Sequence, residues 1–138
     1  MQRIQSPRTD DDAVEQLIKD VGADAAPRIT PADIEANIAS EYYFTAAQGV
    51  DESMKGKPSY CYEKSLSLLT LCVLVLRNGF TVTGESACAS PENFEADVGR
   101  KIARQNAVNK VWPLMGYELR SKLSDAARKD ACELACEG

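Results

Sequence analysis

Histidine is absent from all 138 residues. Its absence removes the commonest general base near neutral pH. A Ser-His-Asp hydrolase is thereby excluded, and so is Cys-His nucleophilic chemistry. The step Gly84-Glu85-Ser86-Ala87-Cys88 superficially looks like a nucleophile elbow, but Cys88 stands where the second glycine belongs. No C-x-x-C pair occurs either. Five cysteines, an odd count with three among apolar neighbours, do not make a secreted disulfide framework, so reduced thiols are expected. Cys132 and Cys136 share a helical face, but with no histidine to join them no metal site is expected. There is no P-loop or dinucleotide-binding glycine fingerprint. The longest apolar run, Leu68 to Leu76, is too short to span a bilayer, and no signal-peptide core is seen. A soluble, intracellular protein is the expectation.

What is present suits a folded domain. The chain is 44% hydrophobic and 27% charged, close to the globular average, so a real core is available. The net charge of −5 is uneven. Residues 1–60 carry eleven acids against six bases, whereas residues 91–124 carry six bases against four acids. That modest basic excess suits a small anionic ligand better than a long duplex, which needs a broader basic stripe. A solvated helix face is the plainer reading of the same charges.

Residues 1–29 read as a loosely ordered segment, with a short helix start at Asp10-Asp11-Asp12 interrupted by Gly22 and Pro27. Residues 30–138 read as one α+β domain. Thr30-Pro31-Ala32-Asp33 begins a helix, with Thr30 as cap and Pro31 at its first position, running to about Ser40. Tyr42-Tyr43-Phe44-Thr45 is rich in strand formers. Residues 48–60, with Gly49, Gly56 and Pro58, read as a loop. Asn78-Gly79 between two strand-like runs signals a hairpin through a turn whose central residues tolerate positive φ. Gly84 marks a bulge or a close backbone approach.

Ser90-Pro91-Glu92-Asn93 opens the next helix. Phe94, Val98, Ile102, Val108 and Trp112 line one face of it. Ala96, Ala103 and Ala107 line roughly the opposite face, which is expected to meet a second helix or a second subunit. Trp112-Pro113 should break or kink this helix, and a last helix begins near Leu114. The expected fold is α+β: an antiparallel β-hairpin sheet covered by two C-terminal helices, with an N-terminal helical leader.

The stretch from Leu69 to Leu123 resembles a family of small tailed-phage proteins, long known only as hypothetical gene products of coliphages and Shigella phages. The likeness rests on Gly79-Phe80, Gly84, Ser86-Ala87-Cys88, Pro91-Glu92-Asn93-Phe94, Gly99, Lys101, Ala103, Ala107 and Trp112-Pro113-Leu114 leading to Gly116-Tyr117. The same pattern is similar to the first-described Thoeris anti-defence family. Its members are sponges that hold a cyclic ADP-ribose signal, and related sponges hold cyclic oligonucleotides. The resemblance implies a homo-oligomer, a dimer or an assembly of dimers. It also implies a protein without enzymatic activity or cofactor, acting in the host cytoplasm on a small-molecule cyclic nucleotide.

Such a ligand offers phosphates, ribose hydroxyls and a base face. Phosphates call for arginine, lysine or free N–H groups at a helix start. A base calls for an aromatic or guanidinium plane. The candidates are Phe80 or Tyr117 for stacking, Arg100, Arg104 and Arg120 for phosphate, and Asn93 for ribose or base edges. For each there is a plainer role: core packing for the aromatics, helix-start bonding for Asn93, ion pairing for the arginines. The competing class is a protein-interaction module that inhibits a host protein through the acidic N-terminal half. A nuclease or signal hydrolase would need a two-metal site, for which the scattered acids show no spacing.

Overall fold

The computed structural model describes residues 10–57 and 61–136. The elements in chain order are α1 (Asp10–Asp20), α2 (Pro31–Asn37), β1 (Ile38–Thr45), α3 (Ala46–Ser53), β2 (Leu69–Leu76), β3 (Thr81–Ala87) and α4 (Ala96–Cys136). Short 3-10 turns at Lys64–Leu68 and Pro91–Asn93 precede β2 and α4. The chain is α+β, and it divides into two compact units: Asn37–Val111, and Met1–Ala36 with Trp112–Gly138.

The Asn37–Val111 unit is built on an antiparallel sheet of order β1-β2-β3. Strand β2 is central, and its residues alternate strictly: Thr70, Cys72, Leu74 and Leu76 are buried, while Leu69, Leu71, Val73 and Val75 are half-buried. Tyr43 of β1 and Gly84 of β3 both pair with Cys72 and so share its face of the sheet. Helix α4 lies on this face. A Cβ built on Gly84 would meet the Ala103 carbonyl oxygen at 2.1 Å and the Ala107 nitrogen at 2.3 Å. One on Gly99 would meet Thr70 Oγ1 at 2.9 Å. The residues that let helix and sheet backbones touch are therefore Gly84, Gly99, Ala103 and Ala107.

That contact corrects the expectation that the alanine strip meets a second helix or a second subunit. Ala103 and Ala107 are fully buried within the chain, whereas Val98 and Ile102, assigned from sequence to the opposite stripe, are 52% and 47% exposed. Small side chains win the sheet-facing side because only they permit the backbone approach at Gly84. Ala96 itself is exposed.

The hairpin forms where Asn78-Gly79 placed it, through a different turn. Gly79 has φ +87°, and no residue other than glycine has positive φ among the described residues. Gly79 N–H donates to the Leu76 carbonyl at 2.9 Å, and Leu76 N–H to that of Phe80 at 2.8 Å. This is a three-residue loop closed by one left-handed glycine, not a two-residue turn with two. The Asn78 side chain accepts from the Phe80 N–H at 2.9 Å, which fixes the loop locally.

Several element boundaries differ from the sequence expectation. Helix α2 stops at Asn37 and the strand begins at once at Ile38. Residues 48–53 of the stretch read as loop belong to helix α3 (Ala46–Ser53). Its start is a reciprocal capping box, with Gln48 N–H donating to Thr45 Oγ1 at 3.2 Å and Thr45 N–H to Gln48 Oε1 at 2.9 Å. The two expected C-terminal helices are one, because α4 runs through Pro113. A proline removes one N–H donor and crowds one carbonyl, and the helix continues beyond it through Leu114 and Met115, both good helix formers.

In the other unit, Thr30 caps α2 as expected, with Asp33 N–H donating to its Oγ1 at 3.1 Å and its own N–H donating to Asp33 Oδ2 at 2.9 Å. Residues 1–9 of the expected loosely ordered leader lie outside the described residues. From Asp10 onward that segment holds α1, and Glu15 of α1 forms a two-pronged ion pair with Arg28. The Arg28 guanidinium holds the Glu15 carboxyl below its usual range. Trp112 Nε1 donates to Asp11 Oδ2 at 3.2 Å. Beyond Val111 no described residue of α4 is buried. No helix among the described residues is long and apolar enough to cross a membrane.

Candidate functional site

Four of the six sequence candidates fall in the Asn37–Val111 unit: Phe80, Asn93, Arg100 and Arg104. Tyr117 and Arg120 belong to the other unit, three apart on α4 and both exposed, Tyr117 at 78%.

Phe80 follows the hairpin loop and is 54% exposed, so it is a surface aromatic, not a core residue. Asn93 closes the short turn before α4 and is also exposed. The seven residues of β3, about 23 Å of extended strand, follow Phe80, and Asn93 shares a cleft with Ser86, Ala87 and Cys88 at the far end of that strand. The structure therefore does not bring Phe80 and Asn93 into one patch of a single chain.

Asn93 lies on a cleft of about 160 Å³ between the end of the hairpin and the first turns of α4. Leu68, Phe94, Val98 and Ile102 supply its apolar wall, and Thr70, Ser86 and Cys88 its polar floor. Cys88 Sγ donates to the Ser90 carbonyl at 3.1 Å, which turns the thiol toward the chain. The expected Ser90 cap makes no side-chain bond: the turn Pro91–Asn93 is 3-10, and α4 starts three residues later at Ala96. Sequence reading missed this cleft because its walls come from β2, β3 and α4 together. The one local signal was Thr70, the sole polar residue in an otherwise apolar strand.

Arg100 and Arg104 sit on successive turns of α4 with different partners. Arg100 pairs with Asp97 at 3.2 Å on the exposed side of the helix. Arg104 Nε donates to Glu41 Oε2 at 2.8 Å, joining α4 to β1. The Arg104 side chain is 28% exposed and Glu41 is 41% exposed, so this pair is better shielded than the Arg100 pair. Beneath it, burial drives the Tyr43 pKa up to about 12. Burial also raises the pKa of the Cys72 thiol, leaving it a protonated core residue. At the other sheet edge, Asn106 Nδ2 donates to the Glu85 carbonyl at 2.8 Å and Lys110 stands 3.9 Å from the Glu85 carboxylate.

In chemical terms, this unit offers an exposed aromatic, an amide beside a small apolar cleft, and two guanidinium groups. Those are recognition groups for a flat ring, polar edges and an anion. Among the described residues, no three cysteine, aspartate or glutamate side chains group as a set that could hold a metal ion.

Residues 29–123 match the family model described as "Phage protein (N4 Gp49/phage Sf6 gene 66) family". The match spans more than half of the chain, and the protein belongs to that family. No curated protein and no solved structure gave a significant match.

Proposed function

We propose that this phage-family protein is an anti-defence sponge, which binds a cyclic nucleotide immune signal and sequesters it without turnover. The signal class is a cyclic ADP-ribose isomer or a cyclic oligonucleotide. The observation that carries this reading is that Asn93 with its cleft, and on another side of α4 Arg100 and Arg104, all fall at the start of that helix, inside the segment that resembles the Thoeris anti-defence family. In this reading Arg100, Arg104 and Arg120 meet phosphates, Phe80 or Tyr117 stacks on a base, and Asn93 reads ribose or a base edge. The protein works as a homo-oligomer in the host cytoplasm and is not an enzyme.

One observation favours a second reading, inhibition of a host protein. Helix α1 exposes Val14 and Leu17 at 54% and 59%, and Val21 just after it is 68% exposed, on the segment that starts with the acidic turn Asp10-Asp11-Asp12. A calorimetric panel of cyclic ADP-ribose isomers, cyclic dinucleotides and cyclic trinucleotides separates the two. Saturable binding to one member supports the sponge. No binding across the panel, with capture of one host protein that a Leu17→Asp variant loses, supports the second reading.

A further inference from the structure

We infer that Glu41 is a counter-charge that sets how strongly, and for which anions, Arg104 acts as a phosphate ligand. The inference rests on the proposed role of Arg104 in anion capture. Glu41 is far away in sequence, on β1, and its carboxylate accepts from Arg104 Nε at 2.8 Å. The bond approaches the guanidinium from its Nε side, so it fixes the orientation of the plane. The same carboxylate offsets the positive charge that an incoming phosphate would feel. Both side chains are accessible enough for an anion to arrive, at 28% and 41% exposure. A simple anion gains little from a guanidinium already paired. A ligand with further contacts elsewhere on the surface compensates for that lost attraction. Glu41 thus discriminates against phosphate alone.

Glu41→Gln removes the charge and keeps an oxygen able to accept from Arg104 Nε. Per unit charge, a carboxylate about 6 Å from a bound phosphate weakens its binding about threefold at the dielectric of water and about a hundredfold at the effective value near a protein surface. Pyrophosphate titrated by calorimetry into wild type, Glu41→Gln, Arg104→Ala and the double variant gives the test, with circular dichroism confirming the fold of each. Pyrophosphate is expected to bind Glu41→Gln at least about threefold more tightly than wild type. The gain should vanish when Arg104 is also alanine, an outcome that a merely structural role of Glu41 does not produce. Equal binding to wild type and Glu41→Gln, or a gain that survives the loss of Arg104, overturns the inference. Because pyrophosphate is the probe, that result stands apart from whether any cyclic nucleotide binds.

Discussion

Gly84 and Ala103 are in backbone contact: a single methyl on Gly84 would lie 2.1 Å from the Ala103 carbonyl oxygen. Neither the β3 backbone nor the first half of α4 can yield without separating helix from sheet. Gly84→Ala is therefore expected to destabilise the protein by about 3 kcal/mol or more. Gly116, on the same helix, has nothing within 4 Å of its position for a Cβ. Gly116→Ala should stabilise by about 0.5–1 kcal/mol through helix propensity alone. Urea denaturation of the two variants checks both signs, and a neutral Gly84→Ala would contradict the close approach.

Ala103→Glu tests the same packing from the helix side. Ala103 is fully buried against the sheet, so a carboxylate there has no room and no partner. Loss of the folded signal in circular dichroism is expected. A folded protein whose oligomer merely dissociates in size-exclusion chromatography would return the alanine strip to a subunit interface.

Legibility from sequence followed the range of the interactions. Asn78-Gly79 announced its hairpin because a left-handed glycine is a local demand, although the loop length was set by the strand register Val75↔Thr81. Thr30 announced α2 for the same reason. The Thr45–Gln48 capping box was equally local, but the nearby Gly49 and Gly56 argued for a loop and prevailed in the reading. The faces of α4 were both seen, yet which one meets the sheet depends on Gly84, some twenty residues away. Arg104 was singled out, but Glu41, which holds it, is 63 residues distant and gives no sequence signal.

Removing the α3 cap is a test of that short-range signal. Thr45→Ala deletes the acceptor for the Gln48 N–H and should cost about 1 kcal/mol. The change in urea midpoint at constant slope measures it. An unchanged midpoint would mean that packing alone holds α3.

Alkaline stability reports on the burial of Tyr43. Its pKa is raised from 10.0 to about 12 in the folded chain, so the folded state keeps the phenol protonated longer than the unfolded state does. This contribution is complete below about pH 10 and is lost as pH rises toward about 12. Cys72, raised in the same direction, adds to the loss from its own ordinary value of 9.0 upward. Tyr43→Phe should therefore lose less stability than wild type between about pH 10 and about pH 12. Equal losses would show that Tyr43 is not the buried phenol.

Arg104→Ala addresses the proposed site directly. Loss of a charge-assisted bond to phosphate should weaken capture of the bound cyclic nucleotide by about 1.5–3 kcal/mol. Calorimetry measures it, and an unchanged affinity removes Arg104 from the site.

Capture without turnover is tested most directly by recovery of the ligand. The protein is saturated with the cyclic nucleotide that it binds, held at working temperature, then heat-denatured, and the released small molecule is chromatographed. Ligand released intact, in an amount equal to that bound, is the expected result. A linear or hydrolysed product in its place would contradict sequestration and make the protein an enzyme.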